Sequence, residues 1–158
     1  TPLYLRANHD FSWFETALAM AAMMTAGALA QPWMGKISDG IGRRPLIILG
    51  NALACGAAII AWAFSSVAIT LVALGVAMTA LVAIRAVLQA AAVDHAGNRE
   101  GTSLGLTFAF MDGFAATAAV LAGLAGESDL ANAFLLASGF SLIAVVLALT
   151  LPKKQHVG

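Results

Sequence analysis

Polar residues in this chain of 158 residues gather in short clusters, leaving five long apolar runs at about 12–34, 45–65, 67–93, 102–126 and 130–151. Each run is close to the roughly 20 residues that a helix needs to cross a bilayer. None alternates with the two-residue period of a strand. In hydrocarbon every backbone N–H and C=O must be satisfied within its own segment or by a closed barrel, so non-alternating runs of this length predict helices. The expected fold is an all-α, polytopic transmembrane helix bundle, a single membrane domain over 1–158 with about five spans.

The connections differ in charge. Segment 35–44 carries Lys36, Arg43 and Arg44, segment 94–101 carries Arg99, and the tail 152–158 carries Lys153 and Lys154. Lys and Arg collect in short cytoplasmic loops, which places these three segments and the C-terminus inside. The opposite side has the neutral turn at Ser65 and Ser66 and the acidic turn at Glu127, Ser128 and Asp129. Five spans then put the N-terminus outside. Residues 1–10 lack a basic leader and cleavage site, and the chain begins without Met. The expectation is a fragment, with at least one helix upstream whose last turn is the stretch from Thr1 to Arg6.

Composition supports the lipid setting: 61% of residues are hydrophobic and 10% charged, more apolar surface than a soluble core of this size buries. The same figures weigh against nucleic acid as a partner, because basic residues are too few for a phosphate-binding face. Cys55 is the only cysteine, and it reads as a small apolar residue. His9, His95 and His156 lie outside the runs, so no intramembrane histidine can serve a nucleophile or a metal. A phosphate-binding Gly-x-x-x-x-Gly-Lys-Ser/Thr loop is missing. An enzyme, a cofactor and a metal are therefore not expected.

Within the runs, several positions carry local expectations. Gly101, Gly105, Phe108, Asp112, Ala116, Ala119 and Gly123 share one arc of the fourth run, which should face protein, since small residues let helices approach closely in lipid. Glu15 beside Trp13 reads as an interfacial anchor, with Trp33 and Trp62 in the aromatic belt. Pro32 should kink or end the first span. Met20, Met23 and Met24 read as packing.

The segment between the first two runs contains Gly35-x-x-x-Asp39-x-x-Gly42-Arg43-Arg44 followed by Pro45. Gly35, Gly40 and Gly42 permit the positive dihedrals of a tight turn, and Pro45 suits the first turn of the next helix. Asp39 can cap an amide or pair with Arg43. This pattern resembles the loop signature of the major facilitator superfamily. The resemblance implies a carrier that rocks between access states, in which Gly35, Asp39, Gly42, Arg43 and Arg44 form a conformational latch stabilising one of them by a few kcal/mol; an ordinary basic flank on the cytoplasmic side is the other reading. Arg85-x-x-x-Gln89 is similar to a further motif of that superfamily, and 94–105 to its following cytoplasmic turn. Gly40 departs from the pattern, where the family usually has an arginine; that departure implies a weaker charge network.

The resemblance implies two six-helix halves with substrate bound between them near the midplane. This chain would be about one half, five spans plus the end of a sixth. As the carboxyl half it would hold helices eight to twelve; the amino half is the other assignment. Counting about 1.5 Å per residue from Val93 and Thr102, Arg85 lies about 12 Å deep and Asp112 about 15 Å, so the two can pair directly or through water. Arg85, Gln89 and Asp112 are the candidates for the substrate and proton pathway. For Arg85 a structural cation set against Asp94, Glu100 or the loop acid of a neighbouring repeat is an equal reading. Asp112 is the candidate for proton coupling, since a carboxylate in low dielectric can load and release a proton; a hydrogen-bonding role between helices is its alternative.

The expected function is secondary active transport of a small solute by alternating access, proton-coupled and in the direction of efflux. A membrane interaction or regulatory half-transporter without transport of its own is the alternative, and a channel is a third reading. Expected partners are a small-molecule substrate, protons, the lipid bilayer and the other half of the transporter. The expected location is a cell membrane, the bacterial inner membrane.

Overall fold

The computed structural model describes residues 2–64, 66–127 and 129–151. Thr1, the turn residues Ser65 and Ser128, and the tail with Lys153, Lys154 and His156 lie outside the described residues. Among the described residues the structure is helical throughout: α1 Pro2–His9, α2 Trp13–Ile41, α3 Arg43–Ala63, α4 Val67–Asp94, α5 Glu100–Gly126 and α6 Asn132–Ala148. Four of these, α2 to α5, are long and apolar enough to cross a membrane. The last expected run forms a shorter helix of 17 residues. Tight i to i−3 turns at both ends, such as Ala133 N–H to Leu130 O and Leu151 N–H to Ala148 O, carry the rod over the rest of 130–151.

The largest departure from expectation is at the first connection. Segment 35–44 is not a loop: α2 continues through Pro32, Gly35 and Gly40 to Ile41, and one residue, Gly42, separates it from α3. Interior glycines each cost a helix up to about 1 kcal/mol. Unpairing the backbone near lipid costs more, so the ladder runs on until a residue can leave it. Gly42 can, because its φ of 96° lies in the left-handed region. Its N–H donates to Ser38 O at 2.9 Å and closes α2, and the next residue starts α3. Gly35 and Gly40 supply no positive dihedral. Pro45 sits in the first turn of α3, where its missing donor is not needed, as expected.

α4 is the centre of the bundle and packs on both α2 and α3, while α3 also packs on α6. Its approach to α2 is set by Gly27, where a Cβ would stand 2.6 Å from Val82 Cβ, and its approach to α3 by Gly50, where a Cβ would collide with Ile84. Polar groups reinforce the α2 contact: Gln31 Nε2 donates to Val82 O at 3.0 Å. One apolar cluster lies at the α1 end of the bundle. There Tyr4 and Leu5 insert against Met23, Ala61, Leu74 and Phe134, so the short α1 plugs the space between four longer helices. A second, of Leu46, Ile47, Val87 and Ala148, lies at the Arg43 end.

α5 is different, with no buried residue. The arc of Gly101, Gly105, Phe108, Asp112, Ala116, Ala119 and Gly123, expected to face protein, is exposed along its whole length in this chain. The half-buried side instead comprises Leu104, Thr107, Met111, Ala118 and Ala122, about a third of a turn away. Side-chain size alone did not reveal which arc the neighbours α4 and α6 would cover.

Candidate latch and transport-path residues

Three helix ends meet at Arg43. α2 contributes Ser38 and Asp39 from its last turn, α4 contributes Asp94 as its final residue, and the Gly42 break makes Arg43 the first residue of α3. Arg43 Nη1 contacts Asp39 Oδ1 at 2.6 Å, and Nε contacts Asp94 Oδ2 at 3.0 Å. Nη1 also donates to Ser38 Oγ. The Arg43 side chain is 23% exposed, whereas Asp39 is 67% and Asp94 50% exposed. A planar guanidinium with donors in a rigid fork can address several acceptors at once, and it stays charged at any physiological pH. One side chain thereby joins the ends of α2 and α4.

Of the residues expected to form the latch, Asp39, Gly42 and Arg43 are brought together. Gly35 enters through its carbonyl, which accepts from Ser38 Oγ at 2.6 Å. Neither Gly35 nor Gly40 has any neighbour within 4 Å of where a Cβ would stand. Arg44 makes no ion pair among the described residues. Two participants were missed. Ser38 was hidden inside the signature as an ordinary spacer. Asp94, read as a possible partner of Arg85, goes to Arg43; the signal was an acid ending a run on the same side as the charged segment.

The intramembrane charges stay apart. Arg85 and Asp112 are both exposed, and no ion pair joins them among the described residues. The direct pairing expected from their depths is absent because each projects from a side of its helix that this chain leaves uncovered. Gln89, one turn beyond Arg85 on α4, is half-buried. Val82, three residues before Arg85 and so about 60° around the helix from it, packs on Gly27.

At the opposite end, Glu15 caps α2. Ser12 N–H donates to Glu15 Oε2 at 2.9 Å, and Glu15 N–H to Ser12 Oγ at 3.2 Å, a reciprocal capping box. The pattern Ser12-x-x-Glu15 was legible in the sequence, but the anchor reading passed over it. Trp13 does lie at the helix end, with the Arg6 guanidinium 3.3 Å from its ring centroid. Trp33 lies about two turns inside α2, since that helix runs farther than expected.

A bundle of long apolar helices whose described charged residues lie at or near helix ends, apart from Arg85 and Asp112 on exposed sides of α4 and α5, is a multi-pass membrane protein. The family model of the Major Facilitator Superfamily matches residues 1–158, and the chain belongs to that superfamily. Its general activity is membrane transport, and the superfamily consists of transporters rather than enzymes. No curated protein and no solved structure matches the chain.

Proposed function

We propose that the chain acts in secondary active transport of a small solute by alternating access, coupled to protons, with the Arg43 end cytoplasmic in a cell membrane. The observation that carries this reading is the Arg43 bridge. A single guanidinium holds the ends of α2 and α4 together, so any rocking that separates these ends must break it, and its strength biases the access equilibrium.

The uncovered faces support the rest. A charge at mid-bilayer is costly unless it meets an aqueous cavity or a partner. Arg85 and Gln89 on α4 and Asp112 on α5 therefore border the substrate and proton path, and the small-residue arc of α5 receives a second helical half. In this scheme Asp112 loads and releases the proton. That half supplies part of the cavity, and lipid covers the remaining apolar surface. Either direction of transport, uptake or efflux, fits this scheme.

The test is solute flux in proteoliposomes holding the complete transporter. Flux driven by an imposed pH gradient and abolished by an uncoupler is expected, and Arg43→Gln is expected to shift the fraction of protein open to the cytoplasmic side. Gradient-independent flux through an open pore would defeat the carrier reading.

A further inference from the structure

We propose that the Ser38 hydroxyl is a positioning residue for Arg43, fixing the guanidinium so that one side chain can span from α2 to α4; this rests on the latch reading of the same site. Ser38 is 1% exposed, although it lies in the last turn of its helix. A buried hydroxyl needs partners, and this one has two with opposite roles. Its single proton goes to Gly35 O at 2.6 Å. The lone pairs are then left to face Arg43, so toward Nη1 the oxygen can only accept. The orientation of the hydroxyl is thus set by the helix itself, before Arg43 arrives.

The consequence follows from exposure. Asp39 and Asp94 are both at least half exposed, and ion pairs to exposed carboxylates gain little when a long side chain must be immobilised to make them. Ser38 is the one buried acceptor in the group. Holding Nη1 there restricts the rotamers of Arg43 in advance and leaves Nε directed at Asp94, 3.0 Å away. Main-chain geometry reinforces the arrangement: Ser38 O accepts the Gly42 N–H at 2.9 Å, so the same residue anchors the break between α2 and α3.

The experiment places spin labels on cysteines replacing the exposed Ile37 and Asn98, in a Cys55→Ser background of the complete transporter in lipid. Pulsed dipolar spectroscopy reads the ratio of separated to joined helix ends. Ser38→Ala should raise that ratio about tenfold, the scale of a hydrogen bond to a charged group. In an Asp94→Ala background, where Arg43 has no acceptor on α4 at that position, the same substitution should change it less than about twofold. An equal effect of Ser38→Ala in both backgrounds, or none in either, overturns the positioning role while leaving the latch intact. No effect of Asp94→Ala itself overturns the latch reading, and the inference with it.

Discussion

α4 and α5 have nearly the same length and similar apolar character, each with one intramembrane charge, yet they are held in opposite ways. α4 buries six residues and is gripped on two sides, by α2 through Gly27 and by α3 through Gly50. α5 buries none, and its own glycines at 101, 105, 113 and 123 have no neighbour within 4 Å of a would-be Cβ. In lipid, association rests on close van der Waals contact rather than on escape from water. Apolar length alone therefore says that a helix is in the membrane, not what it touches. A glycine signals an interface only where a second backbone or branched side chain fills the space it leaves.

The largest effect should come from filling such a space. Gly27→Leu drives a branched side chain into Val82, and overpacking of this kind costs about 1–3 kcal/mol. The folded fraction on thermal unfolding in detergent should fall accordingly. The matching change Gly105→Leu on α5 should leave unfolding within about 0.5 kcal/mol of the parent. If the two substitutions are equally harmful to this chain, the contrast between the helices is wrong. If Gly105→Leu spares folding but blocks transport by the complete protein, its arc is the docking face for the other half.

Next in size is the tether at the end of α4. Arg43→Gln removes the charge from the three-way bridge, and hydrogen bonds to charged groups are worth about 1.5–3 kcal/mol when partly buried. Solvent exposure of both carboxylates keeps the expected loss at the lower end. Cysteine labelling near Asp94 should become faster, while labelling along α5 stays unchanged. Lys in place of Arg should rescue little, because a point charge cannot address Ser38, Asp39 and Asp94 together.

Asp112→Asn tests the outward face of α5. Solute accumulation driven by a pH gradient in proteoliposomes should drop at least about tenfold, roughly 1.4 kcal/mol in the coupling, whereas exchange of solute at equal concentrations should persist. Accumulation at the parental level would remove Asp112 from the proton path. It would leave that carboxylate as a group that another helix must satisfy.

Much of this contrast was beyond the sequence, for identifiable reasons. Five of the helices, α2 to α6, were legible from apolar length, because satisfying the backbone in lipid leaves few alternatives. The end of α2 was not. Gly35, Gly40 and Pro32 are local breakers, but the intrahelical ladder outweighs them until Gly42 takes a positive φ. At the site, Asp39 with Arg43 could be foreseen from four-residue spacing on one stretch of chain. The partnership of Arg43 with Asp94 could not, since it spans 51 residues and depends on α4 ending beside the Gly42 break. Which face of α5 is covered was equally hidden, because its small residues form an arc that none of the described helices covers.

The smallest expected effect concerns a side-chain hydrogen bond that ties the start of α5 to α4. Ser103 Oγ donates to Ala92 O at 2.9 Å across the turn containing Gly97. Ala92 lies in the last turn of α4, where carbonyls lack helical donors, so the hydroxyl satisfies a group that would otherwise rely on water. Ser103→Ala should cost about 1 kcal/mol locally, read as roughly fivefold faster hydrogen exchange in the first turns of α5 with no change in α2 or α3. Such a confined response would show α5 hinged on α4 at this turn and otherwise free to move with whatever packs on its outer arc. Exchange that accelerates throughout the bundle would mean instead that α5 is part of the same cooperative unit as α4.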